Sequence, residues 1–163
     1  LCYGMQLMTI EFARNVLGLK NANTAEINPK AEHVIIDIMP DQKKKIAEGN
    51  YGGSMRLGKY EARLKKGSIA HEAYGQDTIY ERHRHRYEVN PEYIEKILAS
   101  GLVFSGTSPD GKLMEIAELP RGDGKGQHPF FLGTQFHPEF LARPLRPHPL
   151  FSEFIKVAVR RRK

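Results

Sequence analysis

Helices alternating with strands, with one tight hairpin among them, predict a mixed α/β domain for this chain of 163 residues. Three observations carry that prediction: a helix-spaced apolar stripe near the start, short β-branched runs in the middle, and a Pro-Asp-Gly turn between two apolar segments. Met5, Met8, Phe12 and Val16, with Leu7, Ala13 and Leu17 beside them, recur at helix spacing, and Gly18 is placed to end that helix. Residues 21–30 are polar, contain Pro29 and read as a loop. Val34, Ile35, Ile36, Asp37, Ile38 and Met39 form a β-branched run and hence a strand, closed by Pro40. Residues 50–58, with Gly52, Gly53 and Gly58, read as a turn-rich connection into a strand near 60–64.

Residues 81–90 read as a polar strand or loop, after which Pro91 starts a helix through about Ser100, with Gly101 just past its end. The apolar segments 102–107 and 113–119 bracket Ser108-Pro109-Asp110-Gly111. Proline fixes φ and glycine accepts positive φ, so this is a hairpin turn with a mechanism. Residues 120–127 form a glycine-rich loop, and the nearly continuous apolar run 130–136 has the pattern of a buried strand. A short helix over 151–159 closes the chain.

Composition narrows the function classes. Hydrophobic residues make up 40% and charged residues 27%, the balance of an ordinary globular domain with a real core. No apolar run approaches the roughly 18 to 20 residues of a membrane-spanning helix, and no signal segment opens the chain. A single cysteine cannot close an internal disulfide, so the cytoplasm is the expected compartment. The net charge of +6 is concentrated in Arg160, Arg161, Arg162 and Lys163 and in Lys43, Lys44 and Lys45. Such clusters are solvated faces and tails before they are nucleic-acid sites, so no nucleic-acid partner and no membrane partner is expected. The chain opens on Leu1 rather than methionine, which points to a processed or partial chain.

Two motifs carry chemistry. Leu1-Cys2-Tyr3-Gly4-Met5-Gln6 places the lone thiol just before a helical pattern, as a nucleophile on a tight turn would be placed. The dipole at a helix start is expected to lower the thiol pKa, and Gly4 to let the backbone turn tightly behind it. Gly133-Thr134-Gln135-Phe136-His137-Pro138-Glu139 puts a histidine at the end of a buried strand and a carboxylate two residues on. Amide hydrolysis through a thiol needs such a base, a group to orient it, and oxyanion donors. Taken singly, Cys2 reads as an inert buried thiol and His137 as a capping residue; together they read as a triad of Cys2, His137 and Glu139.

These two boxes resemble the nucleophile elbow and His/Glu pair of the class I, triad-type glutamine amidotransferases. Within that group, Asn21-Ala22-Asn23-Thr24-Ala25-Glu26, Gly52-Gly53-Ser54-Met55-Arg56-Leu57-Gly58, residues 81–90, Arg143-Pro144 and His148-Pro149-Leu150-Phe151 resemble the glutaminase domain of the CTP synthases. The resemblance implies a three-layer, flavodoxin-like α/β domain, of which residues 1–163 are the part that follows a missing N-terminal portion. It implies that the Cys2 thiolate attacks the side-chain amide of L-glutamine, with His137 carrying the proton and Glu139 orienting it. A γ-glutamyl thioester forms, ammonia leaves and water releases glutamate. Tyr3, through its backbone N–H, with Gln6, Glu26 and Arg86, is implied to bind glutamine.

The same resemblance implies a synthetase domain, absent from these residues, that binds UTP and ATP with magnesium and uses the ammonia to make CTP. It implies a homo-oligomeric, cytoplasmic enzyme of pyrimidine nucleotide biosynthesis, with no metal or cofactor held by these residues. An upstream glycine-rich loop would supply a second oxyanion donor, so residues 1–163 alone are expected to hydrolyse glutamine poorly. Several alternatives stay open at this point. Another triad amidotransferase or a γ-glutamyl hydrolase would share the triad, and a catalytically silent interaction module would share the fold. His83 and His85 in Arg-His-Arg-His-Arg invite a metal or RNA reading, but flanking arginines repel a cation and Tyr80 and Tyr87 alone make a poor stacking platform. Glu26 read alone is a solvated loop acid, and Arg86 read alone is an ion-pair partner of Glu81 or Glu88.

Overall fold

The computed structural model describes residues 1–38, 55–122 and 128–160. The expected strand end at Met39 and Pro40, the Gly52-Gly53 turn, most of the 120–127 loop and the lysine run 43–45 lie outside the described residues. Helix α1 (Tyr3–Asn15) forms where the helix-spaced stripe places it, burying Met5, Ile10, Phe12 and Ala13. Strand β1 (Ala22–Thr24) lies inside the segment expected to be a loop. Three residues carry too little pattern to read, but Ala22 and Thr24 are fully buried and β1 pairs in parallel with β2 (His33–Ile38). The Arg14 side chain on α1 donates to the Ala22 carbonyl at 2.7 Å, tying β1 to the first helix.

Strand β3 (Arg56–Leu64) begins four residues before the position expected from sequence and pairs antiparallel with β4 (Thr78–His85) along its whole length. Between them stands α2 (Ile69–Tyr74), a helix too short for its periodicity to be legible. It forms because its ends are satisfied. Ser68 Oγ accepts from the His71 N–H, Glu118 accepts from the Ile69 and Ala70 N–H groups, and Gly75 takes the left-handed cap. Strand β5 (Tyr87–Val89) leaves β4 at a corner and pairs antiparallel with β2.

Helix α3 (Pro91–Ala99) starts at Pro91 as expected, with the Asn90 side chain accepting from the Glu92 N–H and donating to the Val34 carbonyl. Strands β6 (Val103–Thr107) and β7 (Met114–Glu118) form the expected antiparallel hairpin, closed by a Gly111 N–H bond to the Ser108 carbonyl. The buried run 130–136 yields a strand only over β8 (Leu132–Thr134), after which the chain turns into a single 3₁₀ turn, Pro138–Phe140. Helix α4 (Pro149–Arg160) ends the described chain.

The sheets run β1-β2-β5 and β4-β3-β6-β7-β8. Strand β7 is buried throughout, because helices cover both of its faces. On one side α1 and α3 bring Met5, Ile10, Phe12 and Ile97 against Leu102, Phe104 and Met114. On the other, α2 and α4 bring Ala70 and Leu150 against Ala62, Ile79, Ile116 and Phe136. Helix layer, sheet and helix layer make the three-layer mixed α/β domain expected from sequence. Among the described strands, β1–β2 is the one parallel pair.

Candidate active site

Cys2 is the one non-glycine residue among those described with positive φ, at φ 47° and ψ −105°. A bulky side chain rarely takes that conformation, so surrounding bonds must hold it there. The Cys2 N–H donates to the Thr134 carbonyl at 2.6 Å, and the Cys2 carbonyl accepts the first helical bonds from Met5 and Gln6. The thiol is thus pinned between the start of α1 and the end of β8. The turn does not depend on Gly4 as expected: its φ is negative, and a Cβ there would meet nothing within 4 Å among the described residues. Gly133 does the work of close approach instead. A Cβ on it would lie 2.9 Å from Met8 Cε, 3.1 Å from Met5 Cβ and 3.2 Å from Met5 Cα, so a side chain there would have to displace Met8 and push on the α1 backbone.

The bond from β8 to Cys2 also fixes the distance to the next element of chemistry, since β8 leads through Gln135 and Phe136 to His137. The His137 N–H donates to the Arg82 carbonyl at 2.9 Å, while the Cys2 thiol approaches the Arg84 carbonyl at 4.0 Å. Residues two apart on a strand turn their carbonyls the same way, so the thiol and the histidine are neighbours along one edge of β4. His137 Nδ1 meets Glu139 Oε1 at 2.6 Å, and the imidazole stacks on Phe140 with centroids 4.7 Å apart and planes within 10°. These contacts fix the ring plane and leave Nδ1 protonated toward the carboxylate. His137 Nε2 is buried with no hydrogen-bond partner among the described residues, so the thiol–imidazole bond is not closed here.

Burial pushes the Cys2 thiol pKa up, against the expectation that the helix start would depress it; the Tyr3 N–H and the Gln135 amide pull it back down only in part. The thiol is half-buried, and desolvation of a thiolate outweighs the donors that face it.

A cleft of about 510 Å³ opens in front of the sulfur. Cys2, Tyr3, Gln6, Glu26 and Arg86 all line it, so five sequence-derived site residues share one wall. His137 and Glu139 do not line that cleft but stand at the neighbouring position on β4. Glu26 is exposed at its mouth, its N–H held by Thr24 Oγ1 at 3.2 Å. Arg86 and Glu26 both act on the Tyr87 hydroxyl; burial raises its pKa first, Glu26 raises it further and Arg86 opposes. An acid and a guanidinium therefore flank the same aromatic side chain in the cleft. Gln6 is buried, and its Nε2 donates to the Tyr87 carbonyl at 3.0 Å and toward Gln135 Oε1 at 3.3 Å.

The sequence reading gave Tyr87 and Gln135 no part in the site and did not bring together a buried charged cluster behind the cleft. Arg56 Nη1 lies 2.6 Å from Glu115 Oε1 and 3.6 Å from Glu88 Oε1, with its guanidinium over the Tyr60 ring at 4.4 Å. His83 Nδ1 meets His85 Nε2 at 2.8 Å, so the His-x-His pair points its nitrogens at one another rather than at a shared cation. Burial, then Arg56, lowers the pKa of both rings, His83 to about 2 and His85 to about 3. Burial raises Glu115 to about 7 against the pull of Arg56, and burial, with Glu115 beside it, holds Glu88 well above the ordinary carboxylate range. One arginine cannot neutralise two buried carboxylates, so a proton is retained between them. The only sequence signal for this cluster was its unusual density of charge in predicted strands; its assembly depends on the β3–β4 register that sets Arg56 opposite His85.

Residues 1–157 match the family described as Glutamine amidotransferase class-I. The chain belongs to that family. Similar relatives include the CTP synthase of Halalkalibacterium halodurans, 56% identical over 99% of this chain and 29% of the relative. The CTP synthases of Carboxydothermus hydrogenoformans and Archaeoglobus fulgidus are 55% and 53% identical, each over 100% of this chain and 29% of the relative. This amidotransferase chain thus spans less than a third of the length of the curated relatives it matches. A solved structure described as the Trypanosoma brucei CTPS glutaminase domain with bound acivicin superposes with a TM-score of 0.86 at 35% identity, over 98% of this chain and 58% of that one.

Proposed function

We propose that these residues form the glutaminase part of a CTP synthase, with Cys2 as nucleophile. The carrying observation is the strained Cys2 backbone, bonded to the strand end that delivers the His137–Glu139 pair and facing a cleft with Glu26 and Arg86. Glu26 suits the ammonium of glutamine, and Arg86 suits its α-carboxylate through two parallel hydrogen bonds. Gln6 contributes its oxygen and stem, since its amide nitrogen is committed to Tyr87 and Gln135.

The Cys2 proton passes to His137 Nε2 as the sulfur attacks the amide carbon, and the Tyr3 N–H stabilises the oxyanion. Glu139 holds the resulting imidazolium. His137 then gives its proton to the leaving nitrogen, so ammonia departs and a γ-glutamyl thioester remains on Cys2. Water, deprotonated by His137, attacks the thioester carbon; glutamate leaves and the thiol is restored. Because burial raises the thiol pKa, proton transfer to His137 must accompany attack, rather than a thiolate standing ready.

The ammonia is consumed in the ATP- and magnesium-dependent amination of UTP by a synthetase domain outside these residues, in a cytoplasmic homo-oligomer. The test uses the full polypeptide. Cys2→Ala should abolish CTP formation from glutamine yet leave CTP formation from ammonium salts intact. Retained glutamine-dependent activity in Cys2→Ala would overturn the proposal.

A further inference from the structure

Gln135 is fully buried between β8 and His137, and nothing in the triad chemistry uses it. Its backbone N–H donates to the Glu115 carbonyl at 2.8 Å, which fixes where the side chain begins. Its amide Nε2 lies 3.7 Å from Cys2 Sγ, and its Oε1 lies 3.3 Å from Gln6 Nε2. The orientation of this amide is dictated by chemistry. The Tyr87 carbonyl can only accept, so the Gln6 atom 3.0 Å from it must be the nitrogen. The second N–H of that nitrogen faces Gln135 and requires an oxygen there. Gln135 is thereby left with its NH₂ group toward the sulfur.

We propose that Gln135 is a positioning residue for Cys2, donating a hydrogen bond that favours the thiolate, with Gln6 and the Tyr87 carbonyl setting the direction of its amide. The chain of bonds runs from the cleft wall at Tyr87 through Gln6 and Gln135 to the sulfur. Any shift of Tyr87 against a bound molecule is therefore felt at the nucleophile. The His85 ring nitrogen Nδ1 lies 3.3 Å from the same Tyr87 carbonyl, so the buried charged cluster braces the chain from behind. The assignment rests on reading Cys2 as the nucleophile.

The test is the pH dependence of Cys2 alkylation by iodoacetamide in the full polypeptide, scored on the Cys2 peptide by mass spectrometry, with folding checked by circular dichroism. The charged and titratable groups around the sulfur (Glu26, Arg84, His85, Arg86, Glu88 and His137) are the same in Gln135→Met and Gln6→Met, so a moved inflection in either reports the amide. Gln135→Met should move the inflection up by about one pH unit, or about tenfold slower labelling at neutral pH. Gln135→Glu, nearly isosteric but without the N–H and with added charge, should move it further. Gln6→Met, which releases the amide, should move it less in the same direction.

An unchanged inflection in folded Gln135→Met overturns the proposal. If that variant does not fold, an unchanged inflection in Gln135→Glu or Gln6→Met does so instead. Glutamine turnover measured in parallel separates the two claims. Turnover that survives Cys2→Ala defeats the nucleophile reading, whereas turnover that requires Cys2 with an unmoved inflection defeats the Gln135 assignment alone.

Discussion

His137 and Glu139 show how much of the proposed chemistry rests on one short contact. The 2.6 Å bond from Nδ1 to the carboxylate fixes the tautomer that leaves Nε2 free to take a proton. Glu139→Gln keeps the shape but can present an N–H to Nδ1 and favour the wrong tautomer. Steady-state kinetics should show kcat for glutamine hydrolysis falling by about 100- to 10,000-fold with KM little changed, the scale of general acid–base assistance. Arg86 belongs to the other side of that division. If Arg86 pairs with the substrate carboxylate as proposed, Arg86→Ala loses an interaction of about 1.5 to 3 kcal/mol, so KM for glutamine should rise about 10- to 100-fold, and Arg86→Lys should recover only part of it. The proposed triad could be read from the sequence because the cysteine is single and the two motifs are short. Gln135 was not read this way, although an amide inside an apolar strand two residues before a histidine is itself a signal.

Element scale decides where these residues stand. Helix α1 and strand β8 meet at Gly133 without room for a methyl group, and the Cys2 N–H bond to Thr134 depends on that approach. Gly133→Ala should push α1 outward and cost about 1 to 3 kcal/mol of stability, read as a lowered denaturation midpoint. Glutamine hydrolysis should fall with it, because the helix carries Cys2. Local signals predicted α1, α3 and the β6–β7 hairpin, each of which has periodicity, a proline start or turn chemistry within a few residues. Strand β1 and helix α2 escaped prediction because neither carries its own reason to form. One is held by a parallel neighbour and an arginine from α1, the other by a glutamate from β7.

The two sheets of the described chain meet at a charged cluster. Arg56, His83, His85, Glu88 and Glu115 come from β3, β4, β5 and β7, so their meeting is a property of topology that no single segment displays. Their titration sets a pH signature. Glu115 keeps its proton when folded, at about 7 against an ordinary 4.5, so its contribution is full below 4.5 and is lost as pH rises through 7. His83 stays neutral when folded, at about 2 against 6.5, so its contribution is full above 6.5 and is lost as pH falls toward 2. Between 4.5 and 6.5 the two slopes oppose, and denaturant midpoints of the full polypeptide should vary least there. Glu115→Gln should unmask the His83 slope, so that midpoints rise with pH between 4.5 and 6.5 where the unsubstituted protein is nearly flat.

The proposed chemistry turns on the sulfur of Cys2, and covalent capture tests it most directly. The full polypeptide is incubated with a glutamine analogue carrying an alkylating group in place of the amide, and the modified residue is located by mass spectrometry. One adduct on Cys2, suppressed by excess glutamine and lost in Cys2→Ala, is the predicted result. Labelling that glutamine does not suppress, or that persists in Cys2→Ala, would contradict Cys2 as the nucleophile.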